Sequence, residues 1–583
     1  MRSTFFGLEI GKTGLTTAQF GLDVTGHNIS NLDTAGFTRQ RIVSTAYDPF
    51  ATIGRFAPVL GSAHVGGGVR VQVLDQIRSA FLDRRFRTES TANAYWETRT
   101  QSLSYIESYF DNVNEKTSIN YSMAEFFRSM TIVSQDPVSG APRTLMQTTA
   151  MDLVQQFNMI YQGLIDFQKV ENKAVATKID DINEMAEQLA ELNKAIYGFE
   201  ITGMIANDLR DKRNLLIDNL ARYIDVEYRE YPDKFGHSMM EVKIGGVKLV
   251  DHDRINKLDV IYIDNVLGPD EEQRVMPVWP HLETTNPLYE LDMSKITGGE
   301  LKAHIDMRDG TGFTVDNRDK GVPYYIEMMN NLARALVLEV NNQHIQGWSD
   351  HPDGSKTNIL FFDTLGLMDT SVVPSVPVSL QDFIVYYDDS DPPVDLGIDI
   401  FAPGFDESTV DFAFKRLEVP DDILRQITAK NINLSLAIQD SAYNIAASSV
   451  EIGRPVNNGE SIELQRGNNV NMNRMYDLFR KTGITIFDDP TIRRDVGSFD
   501  DYGTRIRFDV GNTLHSAKQI GETSRILTLA ANNQRTAIAG VSLDEEMVGL
   551  VKYNHAYNGA ARVITAMDDA LDRLINGTGR VGL

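Results

Sequence analysis

Apolar residues recur every seven positions at both ends of this chain, and this spacing limits the fold more than any other feature of the sequence. The repeat comprises Leu8, Leu15, Leu22 and Ile29 near the N-terminus, and Leu543, Leu550, Tyr557, Ile564 and Leu571 near the C-terminus. Such a repeat forms a narrow stripe on one helix face, as in the seam of a coiled coil. Two such stripes suggest that the ends pair with each other, with neighbouring copies, or both, although periodicity alone slightly favours the alternative. The alternative is that each helix docks separately on the protein's own core.

A third seven-residue repeat lies in the interior of the chain. It comprises Val154, Tyr161, Gln168, Val175, Ile182, Leu189 and Ile196. Only Gly163 interrupts the helix-forming composition from about residue 152 to residue 197. A helix of this length is tens of ångströms long at ~1.5 Å per residue, so we expect an elongated molecule. Further helices are predicted at about 81–110 and 324–341.

The middle of the chain has the pattern of β-structure. Short alternating runs between about residues 224 and 267, and again between about 359 and 419, are separated by glycine, proline and aspartate. Such runs are typical of strands joined by tight turns. We predict an elongated α+β multidomain fold with both termini at one end. The predicted domains are a terminal coiled-coil domain (1–45 with 540–583), a helix-rich domain containing the long helical bundle (46–223 with 300–345 and 425–539) and a mainly β outer domain (224–299 with 346–424).

Charge and composition exclude several classes of function. The net charge is −25, from 81 acidic and 56 basic residues, so a nucleic-acid partner is not expected. The chain has no cysteine, which excludes disulfides and thiolate chemistry. The sequence contains no run of eighteen apolar residues, so no membrane span is predicted. The first residues also lack the pattern of a cleavable signal peptide. Composition alone would place the protein in the cytoplasm, although specialised export routes need no cleaved signal.

Few residues suggest chemistry. The acidic run from Asp388 to Asp395 could bind calcium, but it lacks the spacing of an EF-hand and is interpreted as a solvated loop. His344, His351 and Asp353 lack the spacing of a metal site, and packing is the preferred interpretation for His344. We therefore predict no catalytic residue, no metal site and no cofactor, and hence no enzyme.

A string near the N-terminus carries a specific signature. Residues 23–40 read Asp-Val-Thr-Gly-His-Asn-Ile-Ser-Asn-Leu-Asp-Thr-Ala-Gly-Phe-Thr-Arg-Gln. This string resembles the N-terminal signature of flagellar rod, hook and hook-associated proteins, with matches at Asn28, Ile29, Asn31, Thr34, Gly36, Phe37, Arg39 and Gln40. Ser30 stands where alanine is usual, and Phe37 where tyrosine is commoner.

A second match lies at the other end, where residues 540–547, 553–557 and 561–564 resemble the C-terminal helix of the same proteins. Three interior stretches, at 135–143, 206–213 and 340–347, are similar to the hook-associated members in particular. Rod proteins lack the long interior helix, and hook proteins lack this helical insert. The remaining alternative is another axial protein, such as a hook or distal rod subunit.

The resemblance implies a structural role in the bacterial flagellum, at the junction of hook and filament. It implies export without a cleaved signal peptide through the flagellar type III apparatus, and self-assembly into a ring. The implied partners are the hook protein, the next hook-associated protein on the filament side and a cytoplasmic export chaperone, with neither nucleic acid nor membrane. We expect the stripe residues listed first above to form the subunit interface. Asn28, Asn31, Gly36, Phe37 and Arg39 are expected to shape the turn after the first helix, since glycine accepts a positive φ and arginine offers a planar fork to a carboxylate or carbonyl.

Overall fold

The computed structural model describes residues 5–46, 66–110, 118–280, 289–312, 319–371, 375–388, 390, 393, 395–397, 414–453, 465–489 and 493–577. Within these ranges the chain is a mixed helix and sheet protein in which helix predominates. Two sequence predictions fall partly outside the described residues. They are the second β region, expected between about 359 and 419, of which residues 372–374 and 398–413 are not described, and the acidic run, of which residues 389, 391, 392 and 394 are not described.

The helices account for most of the described chain, and four of the described helices exceed thirty residues. The helices predicted at 81–110 and 324–341 are present within a few residues of these bounds. In chain order the helices are α1 (Phe6–Ser30), α2 (Ala80–Phe110), α3 (Ile119–Gln135), α4 (Gly140–Glu200), α5 (Asn207–Tyr223), α6 (Glu300–Asp309), α7 (Val322–His344), α8 (Asp421–Leu424), α9 (Leu436–Asp440), α10 (Val470–Asp477), α11 (Phe499–Ala539) and α12 (Leu543–Gly577).

The strands form small antiparallel sheets. In chain order they are β1 (Gln40–Ala46), β2 (Val69–Gln76), β3 (Glu227–Pro232), β4 (Ser238–Ile244), β5 (Val247–Asp251), β6 (Arg254–Ile255), β7 (Asp259–Ile263), β8 (Arg274–Trp279), β9 (Tyr289–Glu290), β10 (Phe362–Thr364), β11 (Met368–Asp369), β12 (Val376–Pro377), β13 (Ile384–Tyr387), β14 (Phe414–Leu417), β15 (Ile432–Leu434), β16 (Ile484–Asp489) and β17 (Arg493–Gly497). The larger sheets have the orders β3-β4-β5-β6 and β7-β8-β9. The others are the pairs β1–β2, β10–β15, β11–β12, β13–β14 and β16–β17.

The long helix predicted from the third repeat is α4, which has 61 residues and is about 90 Å long at 1.5 Å per residue. All seven residues of the repeat are buried. Gly163, which interrupts the helical composition, lies where α2 passes close to α4, and an added Cβ there would collide with the ring of Tyr109. The glycine therefore permits a close contact between two helices.

Two hydrophobic clusters lie along α4. The first contains the N-terminal half of α4 and residues of α3, α7 and the segment 360–434, with Phe126, Phe361 and Phe362 in ring contact. The second contains the C-terminal half of α4, α5, α6 and strands β4, β5 and β8. The two β segments, which the sequence predicts to share one outer domain, thus contribute to different clusters. The three-domain division stays a prediction.

Two long antiparallel helix pairs extend from these clusters. Helix α2 packs on α11, with Trp96 beside Gly521 and Phe86 beneath the guanidinium of Arg535. Helix α1 packs on α12, and the β1–β2 hairpin contacts α1. Because Gly7 lies next to Met567, the two ends of the described chain are adjacent. Among the described helices, none is both long and apolar enough to cross a membrane.

The terminal helix pair and the signature loop

Small residues form the face of α1 that contacts α12. They alternate at spacings of four and three, which gives the 3.5-residue period of a coiled-coil seam. These residues are Gly7, Gly11, Gly14, Ala18, Gly21, Thr25 and Asn28. An added Cβ would lie 2.7 Å from Met567 Sδ at Gly7 and 2.8 Å from Ile564 Cγ1 at Gly11. The absence of side chains therefore lets the two helices approach closely.

The contacts define one antiparallel register. Gly7 lies against Met567, Gly14 against Ala560, Gly21 against Tyr553 and Asn28 against Glu546. Each step of seven residues forward on α1 thus matches a step of seven residues back on α12. We call these two rows of residues, with their neighbours at three or four positions, the seam.

The stripe residues predicted on α1 lie beside this seam, whereas those predicted on α12 lie on it, three or four positions from its row. Leu8, Leu15, Leu22 and Ile29 each follow a seam residue and are half-buried. On α12, Leu550, Tyr557, Ile564 and Leu571 are half-buried, whereas Leu543 is 49% exposed. Ile564 packs against Gly11 of the same chain. These residues therefore line the contact between the two ends of one chain, and their role between subunits stays a prediction.

Other apolar residues of α12 are exposed, either on the side away from α1 or beyond Met567, the partner of Gly7. Val548 is 70% exposed and Ile575 is 64% exposed, and Met547, Val551 and Leu574 are exposed as well. Exposed large apolar side chains in a group mark surfaces that bind other molecules. The terminal helix pair thus leaves apolar surface uncovered within the described chain.

Asn28 joins the first helix to the first strand. Its Oδ1 accepts a hydrogen bond from the Gln40 backbone N–H at 3.0 Å, and its Nδ2 donates to the Gln40 carbonyl oxygen at 2.9 Å. The same Nδ2 lies 3.1 Å from Glu546 Oε2 on α12. Asn28 is buried, and each of these polar atoms has a partner, so the residue connects α1, β1 and α12.

Arg39 connects the signature loop to α12. Its Nε donates to Glu546 Oε1 at 2.7 Å, and its Nη1 binds Glu545. Burial opposes the charged guanidinium, but the hydrogen bonds and charges of Glu546 and Glu545 outweigh this effect and raise the pKa of Arg39. The Arg39 backbone N–H also donates to the carbonyl oxygen of Ala539, where α11 ends. The bonds from the Arg39 guanidinium to Glu546 and Glu545 are charge-assisted, and such bonds are stronger than neutral ones.

The turn between α1 and β1 is built by the remaining signature residues. Asn31 Nδ2 donates to the His27 carbonyl oxygen at 3.0 Å, and Thr34 donates to Asn31 Oδ1. Gly36 has φ of 78°, a conformation that favours glycine, and an added Cβ would lie 3.1 Å from Leu215. The Phe37 ring packs edge-on against His27.

Helix α5 binds the end of this loop. Asp211 accepts hydrogen bonds from the Thr38 N–H at 2.9 Å and from the Thr38 hydroxyl at 2.7 Å. Burial raises the pKa of Asp211, and the bonds from Thr38 act in the opposite direction. Gln40 Nε2 donates to Asp208 at 2.9 Å. The loop is therefore attached to the terminal helix pair on one side and to the helical body on the other.

An ionic cluster below the loop attaches the end of α11. Asp218 of α5 binds Arg87 of α2 at 2.6 Å and Arg535 of α11 at 2.5 Å. Arg78 binds Asp83 at 2.6 Å and lies 3.6 Å from Asp211. Three helices, α2, α5 and α11, are therefore joined below the loop by charged contacts that are mostly buried.

The other candidates from the sequence lie apart from this region or lack the geometry of a site. His344 is fully buried and hydrogen-bonded through both ring nitrogens. His351 and Asp353 form a contact at 3.6 Å, in which the aspartate is exposed. Among the described residues, no group of three or more histidine and carboxylate side chains is arranged to hold a metal ion.

Sequence reasoning missed Glu546, Asp211, Asp208 and the seam glycines. Gly7, Gly14 and Gly21 have the same seven-residue spacing as the leucines that follow them, so this signal was visible in the sequence. The partners Asp211 and Glu546 lie 173 and 507 positions away from Thr38 and Arg39. No local pattern reports such contacts.

Comparison with known proteins covers nearly the whole chain. A family model described as the flagellar hook-associated protein FlgK helical domain matches residues 103–362, and one described as the flagellar basal body rod FlgEFG protein C-terminal matches residues 533–577. The chain is 24% identical to flagellar hook-associated protein 1 of Bacillus subtilis, with 99% of each chain covered. It is 23% identical to the Escherichia coli protein of that name, with 97% of this chain and 98% of that one covered.

A solved structure has the same fold. The flagellar hook junction protein FlgK from Burkholderia pseudomallei matches with a TM-score of 0.51 at 14% identity, covering 80% of this chain and all of that one. The terminal pair, the signature loop and these matches define a flagellar axial protein. Within this class, the chain matches the hook-associated proteins 1 along nearly its whole length, and these are structural proteins of the flagellum.

Proposed function

We propose that this chain is a structural subunit of the junction between the flagellar hook and filament, and that filament assembly requires it. The observation that carries this proposal is the similarity along nearly the full length to hook-associated proteins 1. The match at residues 533–577 is shared with rod proteins and does not distinguish the members, whereas the match at 103–362 is specific to the hook-associated helical domain.

Assembly uses the terminal helix pair. Copies form a ring in which the stripe residues and the exposed face of α12 contact neighbouring copies, with the hook protein on one side and the next hook-associated protein on the other. Exposed apolar side chains such as Val548 and Ile575 support this role, since their burial would stabilise the assembled form. Before assembly, the same surface on α12 suits an export chaperone, and the chain travels through the flagellar type III apparatus to the cell exterior.

Electron microscopy of cells that lack the gene tests the junction role, with secreted flagellin assayed in the medium. We expect hooks of normal length without filaments, and flagellin lost to the medium. Restoring the gene should restore the filaments, which controls for effects on neighbouring genes. Cells without any hook would place the protein in the rod or hook instead, and intact filaments would overturn the proposal.

A further inference from the structure

Packing along the seam does not by itself set the register of α1 against α12. Small residues recur every three or four positions from Gly7 to Thr25. A shift of α12 by seven residues would again place a small residue of α1 against most seam positions of α12. In a seven-residue repeat, a single buried polar residue commonly selects one of several such registers.

Glu546 has the properties of such a residue. It is 4% exposed, and along the described part of α12 the other charged residues are exposed. Its two carboxylate oxygens accept from two different residues, Oε2 from Asn28 and Oε1 from Arg39. Both oxygens of this buried charge are therefore satisfied in the observed register.

A shifted register would remove these partners. If α12 moved so that Gly7 faced Ala560, Glu546 would face Gly21, which has no side chain to donate a hydrogen bond. If it moved the other way, Tyr553 would face Asn28, and the carboxylate would pass beyond the end of α1. A buried carboxylate without donors is strongly unfavourable.

We propose that Asn28, Arg39 and Glu546 form a register lock between α1 and α12, with Glu546 as the positioning residue that selects the observed pairing. Asn28 and Arg39 are themselves held by the Gln40 backbone and by the Ala539 carbonyl oxygen. The register lock thereby also fixes the position of the α1–α12 pair relative to the end of α11. This inference concerns contacts inside one chain, so its test is separate from that of the junction role.

Engineered cysteines can report the register, because the full chain has no cysteine of its own. An added Cβ at Gly14 would lie 3.6 Å from the Ala560 Cβ, within the ~3.5–4.5 Å range of disulfides. The pair Gly14→Cys with Ala560→Cys therefore reports the observed register. The pairs Gly7→Cys with Ala560→Cys and Gly21→Cys with Ala560→Cys report shifts of seven residues in the two directions.

Each pair is oxidised in the full-length protein, in the parent and in the Glu546→Ala background, and disulfide yield is read by mass spectrometry. In the parent we expect the shifted pairs to yield less than about a tenth of the observed-register pair, because a shift strands the carboxylate. In Glu546→Ala, at least one shifted pair should rise to a yield comparable with that of the Gly14–Ala560 pair. Asp544→Ala is the matched control, since Asp544 is an exposed carboxylate in the same first turn of α12, and it should leave the parent pattern unchanged.

Retention of the single Gly14–Ala560 disulfide in Glu546→Ala would overturn the proposal. Loss of all three disulfides in that variant, with loss of helical circular dichroism, would assign Glu546 to stability rather than to register and would overturn it as well. Comparable yields of all pairs in the parent chain would show that no register is selected.

Discussion

His344 illustrates how burial changes the chemistry of a single residue. Its Nε2 accepts a hydrogen bond from the Ala446 N–H at 2.9 Å, so the proton lies on Nδ1, which contacts the Ile359 carbonyl oxygen at 2.6 Å. Burial lowers the pKa of His344, the bond to the Ile359 carbonyl oxygen opposes this effect, and the nearby charge of Arg143 adds to the lowering, so that the net pKa is about 4. The residue binds two segments together and has no free nitrogen for a metal ion.

This histidine should make folding sensitive to acid. Because its folded pKa lies below its unfolded value of about 6.5, its contribution is fully present above that pH and is lost as the pH falls toward 4. We expect up to about 3 kcal/mol of stability to depend on this residue across that window. Urea unfolding between pH 4 and pH 7 measures the dependence.

The variant His344→Gln should be less stable at pH 7 and should show a shallower loss between pH 6.5 and pH 4. His555→Gln, which changes an exposed histidine on α12, should behave as the parent does. An equal slope in His344→Gln and in the parent would contradict the assignment.

The contact between α1 and α12 depends on which side chains are missing. At Gly21 an added Cβ would collide with the Tyr553 ring, whereas at Gly14 it would lie 3.6 Å from Ala560 in ordinary contact. Alanine is also favoured over glycine within a helix by roughly 0.5–1 kcal/mol. The same substitution should therefore have opposite effects at two positions of one seam.

We expect Gly21→Ala to weaken the helix pair by about 1–2 kcal/mol, since overpacking outweighs the gain in helix propensity. Gly14→Ala should strengthen the pair by up to about 1 kcal/mol. Hydrogen exchange of α1 amides in the full chain measures both effects, as lower protection in the first variant and higher protection in the second. Equal changes at the two positions would show that the seam is looser than the structure indicates.

The whole molecule is organised around one helix that serves two cores. The N-terminal half of α4 packs in one cluster and its C-terminal half in the other. The terminal pair and the α2–α11 pair meet near the signature loop. There α5 binds Thr38 of the loop through Asp211 and Arg535 of α11 through Asp218. A chain built on a helix about 90 Å long suits a structural protein of the flagellum.

The exposed face of α12 allows a test of assembly at this scale. Val548 is mostly exposed within the chain, so Val548→Asp should leave the subunit folded. Burial of that charge between copies would be costly, and we expect the fraction of cells with filaments to fall by roughly tenfold or more. The variant protein should still reach the medium, and electron microscopy with immunoblotting measures both quantities.

Val376→Asp is the matched control, since it makes the same change at an exposed valine on β12. It should leave filaments at their usual number. Normal filaments in Val548→Asp would exclude this face of α12 from the subunit contact. Ile564, one of the predicted interface residues, is a weaker choice for this test, because it packs against Gly11 and its replacement would also disturb the pair within one chain.

Local patterns in the sequence determined the helices and much of the signature loop. The seven-residue repeats identified α1, α4 and α12, because a helix repeats its faces at nearly this interval and apolar residues must then share one side. The positive φ at Gly36 and the fork of Arg39 likewise follow from properties of these residues alone.

Tertiary structure alone decided which partners these residues have. The leucine repeat predicted a contact on α1 but not that the glycines one position earlier would form its centre, since small residues add little to an apolar pattern. In the sequence, Glu546 is one of three acidic residues in the first turn of α12. Only its burial against Asn28 and Arg39 distinguishes it from the other two. Likewise, the division of the β segments between two cores depends on contacts far apart in the chain. Periodicity reports which face of an element is buried, whereas the identity of the covering surface depends on the packing of the whole chain.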